Sequence, residues 1–102
     1  MMKATKNLIG KRVIIRAQGA GVFYGTLNEA EGNQVELTSC RRLWYWDGAA
    51  SLSQLAAEGV KAPQNCKFTV TVDSIVIHGV LEIIPTTEEA QKSIESVREW
   101  KK

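Results

Sequence analysis

Short β-branched segments separated by glycine-containing turns occupy most of this chain, and no other feature restricts its fold as strongly. Residues 10–17 (GKRVIIRA) and 22–30 (VFYGTLNEA) have the composition of strands. The turn between them, residues 18–21, contains two glycines that are free to adopt positive φ. A second turn at residues 31–33 leads into residues 34–39, where apolar and polar side chains alternate. This spacing predicts antiparallel strands joined by tight hairpins.

Further strand segments follow. Residues 41–46 (RRLWYW) read as a strand that is in register with, or continuous from, the third one. Residues 66–72 (CKFTVTV) alternate cleanly, which predicts a strand with Phe68, Val70 and Val72 on one buried face. Residues 74–85 are strongly apolar but are interrupted at Gly79, which predicts two short strands or one bent strand.

Two segments change to the helical period. Ser51 is placed to cap a short helix, with Gln54 at the capping-box position and Gly59 at the helix end. Thr86 or Thr87 begins a second helix, which we expect to extend to Trp100. Its inward stripe would consist of the four apolar side chains at helical spacing: Ala90, Ile94, Val97 and Trp100.

These elements predict one domain over residues 1–102 with a mainly β (α+β) fold. Five or six short strands, with a glycine bend at Gly25, favour a small bent antiparallel sheet or an SH3-like or Sm-like barrel. A short inserted helix and a carboxy-terminal helix complete it. Because such a sheet leaves edge strands that invite pairing, we expect a homo-oligomer, from dimer to hexamer.

The composition limits the kinds of binding partner and the cellular location that we expect for this protein. The net charge is +2, which is too small for a general nucleic-acid binder, so an anionic partner should be small or meet a local cluster. No apolar run has the roughly 20 residues that a membrane helix needs. The amino-terminal residues have no signal-peptide core, which predicts a cytoplasmic location. We interpret Cys40 and Cys66 as free thiols, and we expect no metal and no cofactor.

Catalytic patterns are weak. The single histidine, His78, lies within a strand segment, where a packing role is more common than general-base catalysis. The Gly19–Ala20–Gly21 turn lacks the helix and the Lys-Ser/Thr ending of a phosphate loop. We therefore expect a protein that is not an enzyme.

Binding chemistry concentrates in the segment RRLWYWDGAAS, residues 41–51. Arginine engages phosphates with a planar fork, and aromatic rings stack on bases. Strand alternation predicts that Leu43 and Tyr45 face inward and that the other three face outward: Arg42, Trp44 and Trp46. Two interpretations stay open for the tryptophans, which either pack in the core or face a ligand. Arg41 would lie at the edge of this aromatic surface, and the helix start at Ser51 is a second anion-friendly element.

Arg16 lies just before the glycine turn, where alternation predicts that it is exposed. A binding role and a solvated charge at a strand end are equally compatible with that position.

Two long stretches carry a resemblance to a known family. They are VIIRAQGAGVFYGTLNEAEGNQVELTSCRRLWYWDGAASLSQLAAEGV and CKFTVTVDSIVIHGVLEIIPTTEEAQKSIESVREW, residues 13–60 and 66–100. They resemble small phage-encoded proteins that we associate with the Thoeris anti-defense sponge proteins. The resemblance implies binding of cyclic ADP-ribose isomers, and of cyclic oligonucleotides of CBASS systems, without cleavage, by oligomers that share sites between subunits. It further implies ligand contacts for Arg16, Phe68 and Arg98.

The leading hypothesis is thus a phage protein that sequesters a cyclic nucleotide-type immune signal in the host cytoplasm. The rival hypotheses are an SH3-like or Sm-like module that binds nucleic acid or a host protein, and a phage structural component. The predicted ligand-binding residues are arginines, aromatic residues, the glycines of the first turn and the serine at the helix start. They are Arg16, Gly19, Gly21, Phe23, Arg41, Arg42, Trp44, Trp46, Ser51, Phe68 and Arg98.

Overall fold

A computed structural model describes residues 1–102 and contains six strands and three α-helices. The strands are β1 (Arg12–Ala17), β2 (Gly21–Glu31), β3 (Gln34–Tyr45), β4 (Lys67–Phe68), β5 (Val72–Ile77) and β6 (Val80–Pro85). The helices are α1 (Lys3–Lys6), α2 (Leu52–Glu58) and α3 (Glu88–Glu95), with a 3-10 turn at Pro63–Asn65. The predicted mainly β fold, with an inserted helix and a carboxy-terminal helix, is confirmed.

One antiparallel sheet contains all six strands. Its order is β4-β3-β2-β1-β6, and β5 pairs with β3 alongside β4. The sheet curls until the turn between β5 and β6 approaches both hairpin ends. Gln18 donates its backbone N–H to the carbonyl of Gly79 at 2.9 Å, and Val80 donates to the carbonyl of Asn33 at 2.8 Å. The sheet is therefore bent into an incomplete barrel in which β5 and β6 each keep one unpaired edge.

Apolar side chains form two buried clusters on opposite faces of the sheet. Along β1, Val13 and Ile15 belong to the cluster inside the barrel, whereas Ile14 belongs to the one under the helices. Leu55 from α2 and Ile94 from α3 cover that second face and are both fully buried. Because both faces of the sheet are covered, β1 is buried over consecutive residues instead of alternating.

Gly25 lies at an irregularity where β2 bends. The pairing of β2 with β3 shifts register between Tyr24 and Thr26. A Cβ on Gly25 would lie 3.1 Å from the Cα of Cys40 and from the carbonyl oxygen of Thr38. The predicted bend is confirmed, and its cause is the close approach of the two backbones.

Side chains fix the starts of both longer helices. Ser51 accepts the N–H of Gln54 at 3.1 Å, and the Gln54 side chain accepts the N–H of Ala50, one residue before the cap. Thr87 accepts the N–H of Ala90 in the same way. None of the helices has the length and apolar character needed to span a membrane. Both cysteines are buried and unpaired, as the sequence predicts.

The predicted strand over residues 66–72 is wrong in its middle. Only Lys67 and Phe68 pair as β4, opposite Tyr45 and Leu43. Val72 then pairs with Cys40, so the chain shifts along β3 and the alternation is lost. Phe68 is buried as predicted, but Val70 and Val72 are exposed.

Helix α3, the second of the two helices that the sequence predicts, is shorter than expected. It ends at Glu95, and Ser96 is its carboxy-terminal cap. Ala90, Ile94 and Val97 are buried as expected, but Trp100 lies beyond the helix and is exposed. The prediction that Tyr45 faces inward is also wrong, because the β3–β4 register shifts after Leu43 and leaves Tyr45 exposed.

Candidate functional site

The last residues of β3 and the short strand β4 extend beyond the barrel as a two-stranded ribbon with two different faces. Arg41, Leu43 and Phe68 are buried on the face that α3 covers. Arg42 and Trp44 are exposed on the opposite face. Alternation therefore distributes the cations and rings of this segment between a structural face and a solvent-facing one.

Arg41 links the ribbon to the end of α3. Its guanidinium donates to four backbone carbonyls, those of Phe68 (3.1 Å), Thr69 (3.1 Å), Ile94 (3.4 Å) and Val97 (3.0 Å). It is 6% exposed, and burial lowers the pKa of this guanidinium below its ordinary value. The prediction that Arg41 binds a ligand is wrong, because its donors are used to cap the helix end and to hold β4.

The solvent-facing side of the ribbon carries what we call the tryptophan platform, defined as Arg42, Trp44, Lys67 and Trp100. The indoles of Trp44 and Trp100 are nearly parallel, with an interplanar angle of 15° and ring centroids 6.4 Å apart. Trp44 is 64% exposed and Trp100 is 42% exposed. Both rings thus present large apolar surfaces to water, although nothing in their sequence context required an exposed position.

A short backbone pairing brings Trp100 to the platform. Its N–H donates to the carbonyl of Phe68 at 2.8 Å, and Glu99 forms a parallel bridge with Phe68. The Glu99 carboxylate also accepts the N–H of Thr71 at 3.0 Å. The segment after α3 therefore lies along the edge of β4 and delivers the second indole.

Two cations accompany the indoles. The ammonium of Lys67 lies 5.4 Å from the centroid of the Trp100 ring. The guanidinium of Arg42 lies 4.7 Å from the centroid of the Phe23 ring, and it makes no side-chain hydrogen bond or ion pair. Lys67 makes no ion pair either, so both cations are free to meet an anion.

The other predicted aromatic contacts are corrected. Phe23 is 1% exposed and Phe68 is fully buried, so neither ring can stack on a ligand. Phe23 fills the barrel interior and Phe68 packs under the helices. Trp46 is half-buried against the same helical cluster. The open question about the tryptophans is therefore resolved differently for the two residues: Trp44 faces solvent and Trp46 packs on the core.

Four of the remaining predicted residues lie outside the strand pair that carries Trp44, whereas Arg98 precedes Trp100 by two residues. Arg16 is exposed as predicted, but it shares a sheet face with Ile14 and forms an ion pair with Glu82 at 2.9 Å. Gly19 and Gly21 form the predicted turn, with φ of 77° and 107°. Ser51 is used as a helix cap, and Arg98 is exposed in the segment after α3.

Sequence reasoning missed two members of the platform, Lys67 and Trp100. Lys67 precedes the buried Phe68 and pairs opposite Tyr45. Because neighbouring side chains in a strand point to opposite faces, this position could have placed Lys67 on the exposed face with Trp44. Trp100 had no such signal, because its position depends on where α3 ends.

A polar network fastens α3 to the barrel next to Arg41. Tyr24 donates its hydroxyl to Glu95, and Arg12 contacts both groups, with its guanidinium 4.5 Å from the Tyr24 ring centroid. Burial, together with the hydrogen bond to Glu95, raises the pKa of Tyr24 to about 12. The network stabilises the position of α3 and so of the segment that carries Trp100.

A surface cavity of about 480 Å³ lies away from the platform. Its lining includes Glu29, Glu31 and Glu36, and no cationic side chain contributes to it. Such a lining disfavours a phosphate-containing ligand, which leaves the platform as the candidate site for an anion.

Comparisons with known proteins agree with the architecture. The fold is similar to that of a heptameric archaeal Sm protein, with a TM-score of 0.55 and 17% sequence identity over 84% of this chain and all of the Sm chain. The predicted Sm-like fold is thereby confirmed. The chain belongs to the DUF6948 family, a domain of unknown function, whose family model matches residues 10–94. No curated protein matches the sequence significantly.

Proposed function

We propose that this protein binds single-stranded nucleic acid through the tryptophan platform, without chemical conversion of the ligand. The observation that carries the proposal is the exposed, nearly parallel pair of Trp44 and Trp100. Exposed indole faces are sequence-tolerant stacking surfaces for unpaired bases, at about 1–3 kcal/mol per base. Paired bases hide their faces, so the platform favours single strands over duplexes.

The cations of the platform fit the same ligand. Lys67 lies over the Trp100 ring, Arg42 is exposed two residues before Trp44 on the same strand, and neither cation has a carboxylate partner. An unpaired base that stacks on Trp44 carries its phosphates to either side, within reach of long cationic side chains. Stacking would supply most of the affinity, and the small net charge of +2 would keep general electrostatic binding weak.

Fluorescence anisotropy with a labelled RNA of about ten nucleotides tests this proposal. We expect Trp44→Ala to weaken binding roughly 5- to 150-fold, which corresponds to the loss of about 1–3 kcal/mol of stacking. Ile9→Ala removes another exposed apolar side chain, beside the cavity that lies away from the platform, and should bind as the wild type does. Absence of binding by the wild type, or equal binding by Trp44→Ala, contradicts the proposal.

Sequestration of a cyclic nucleotide is the second candidate. The resemblance to anti-defense sponge proteins suggests it, and the unpaired guanidinium of Arg42 supports it, since a compact ligand with two phosphates needs such a fork. Thermal-shift titration with cyclic ADP-ribose isomers and cyclic di- and trinucleotides tests it. A shift at micromolar ligand, with the ligand recovered intact after heat denaturation, supports sequestration, whereas no shift with any of them rejects it.

We further propose that the protein forms a closed homo-oligomer through its sheet edges. The unpaired edges belong to different strands, β5 and β6, and both carry exposed apolar side chains, Val76 and Leu81 among them. Pairing between unlike edges is heterologous, and it produces a closed ring when the rotation from one subunit to the next closes. The similar archaeal Sm protein is heptameric. Native mass spectrometry should give one oligomer for the wild type and a smaller species for Val76→Lys, and a monomeric wild type contradicts the proposal.

A further inference from the structure

We infer that Trp100 is a positioning residue, which supports one face of Trp44 and leaves the opposite face of that indole as the single stacking surface of each subunit. The inference rests on the proposed nucleic-acid function, which by itself requires only that a base stacks on an exposed indole. The contacts of the two rings give them different roles, and these roles limit direct stacking to one base per subunit.

The two indoles are in direct contact with each other. Their ring centroids are 6.4 Å apart and their planes differ by 15°. This is the geometry of an offset stack, in which the centroids of touching rings lie about 4.5–7 Å apart. A base cannot enter between rings that already touch, so it can reach only an outer face of the pair.

Trp44 offers a base more free surface than Trp100 does. Trp44 is 64% exposed, whereas Trp100 is 42% exposed. The ammonium of Lys67 lies over the Trp100 ring, 5.4 Å from its centroid, and no cation lies over the Trp44 ring. The Trp100 ring is thus shared between an indole and an ammonium, and Trp44 keeps the larger surface for a base.

The backbone holds Trp100 in place without any ligand. Its N–H donates to the carbonyl of Phe68 at 2.8 Å, and the preceding Glu99 forms a parallel bridge with Phe68. Trp44 lies at the end of β3, at the register shift that follows Leu43, and it stacks on no other aromatic ring. Contact with Trp100 therefore restricts the orientation of the Trp44 indole before a base binds, and such preorganisation raises affinity.

A double-mutant cycle in RNA binding separates support of Trp44 from independent stacking. We expect Trp100→Ala to weaken binding roughly 2- to 13-fold, which corresponds to the loss of an aromatic pair worth about 0.5–1.5 kcal/mol. Because Trp100 acts through Trp44, the double variant Trp44→Ala/Trp100→Ala should bind as Trp44→Ala alone does.

Two outcomes of the cycle overturn the inference but leave the proposed function standing. Losses that add in the double variant mean that Trp100 stacks on a base of its own. Unchanged binding by Trp100→Ala means that Trp44 needs no support. Absence of RNA binding by the wild type overturns both.

A conservative variant and an NMR readout distinguish positioning from a role in folding. Trp100→Phe keeps an aromatic ring against Trp44 and the backbone N–H to Phe68, so it should restore most of the affinity at an unchanged melting temperature, and binding as weak as that of Trp100→Ala contradicts the inference. In the RNA complex of the wild type, base protons should give intermolecular NOEs to ring protons of Trp44 alone. NOEs to Trp100, or to neither ring, overturn the single stacking face.

Discussion

Replacement of Arg41 by methionine tests the assignment of this arginine to the fold. The variant keeps an unbranched side chain of similar length in the buried position but removes the donors to four carbonyls. Two of these carbonyls keep another partner, since Phe68 O accepts the N–H of Trp100 and Ile94 O accepts the N–H of Val97. The carbonyls of Thr69 and Val97 lose the donor that satisfies them.

The magnitude follows from those two carbonyls. A polar group left buried without a partner costs about 1–3 kcal/mol, and the part-buried Thr69 carbonyl costs less because water reaches it, so Arg41→Met should lower the free energy of unfolding by about 1–4 kcal/mol. That is a large part of the roughly 5–15 kcal/mol that stabilises a typical domain. The same substitution next door, Arg42→Met, removes only an exposed cation over Phe23 and should cost about 0.5–1 kcal/mol.

Urea denaturation followed by far-ultraviolet circular dichroism measures both changes. The reasoning is refuted if Arg41→Met is destabilised by less than about 1 kcal/mol, or by no more than Arg42→Met. It is equally refuted if Arg41→Met keeps its stability but loses RNA binding, because Arg41 would then act on the ligand.

Three further predictions concern charge and protonation. Arg42→Gln should reduce the slope of log affinity against log salt concentration by about 0.7, which is the value for one phosphate contact on a single strand. Lys11→Gln makes an equal charge change away from the platform and should leave the slope unaltered. Equal slopes for the two variants in RNA titrations contradict the phosphate contact. Because the pKa of Tyr24 is raised from 10.0 to about 12 in the fold, the neutral phenol stabilises the protein below pH 10, and this stabilisation is lost as the pH rises to about 12. The free energy of unfolding measured over that interval should fall less steeply for Tyr24→Phe, and parallel curves would show that Tyr24 does not contribute. Burial raises the pKa of the Cys40 thiol to about 11, so iodoacetamide at pH 8 should label Cys40 only after unfolding; rapid labelling of the native protein, located by mass spectrometry, would contradict its burial.

The sequence predicted the sheet because its signals are local. Glycine turns, β-branched runs and the caps at Ser51 and Thr87 are each determined within a few residues, and the structure contains them except over residues 69–71, where the predicted strand is interrupted. The bend at Gly25 was predictable for the same reason, since a glycine within a strand segment is itself a local signal of a bend or of a closely approaching backbone.

The candidate site was predicted only in part because it depends on contacts between distant residues. Strand parity correctly placed Arg42 and Trp44 on one face, and the same parity puts Arg41 with the buried Leu43. Nothing in the sequence indicates that Arg41 caps a helix, because the end of α3 meets β3 only in the folded chain. Trp100 was assigned to a helix that ends earlier, and this error concealed the second indole of the platform.

The indole N–H resonances of the three tryptophans provide the most direct test of the central claim, that the exposed indole pair is the binding surface. A heteronuclear NMR titration with single-stranded RNA observes Trp44, Trp46 and Trp100 at once, and the half-buried Trp46 is an internal control. We predict that the signals of Trp44 and Trp100 shift in proportion to occupancy while that of Trp46 stays in place. Saturable RNA binding that leaves Trp44 and Trp100 unmoved would contradict the account.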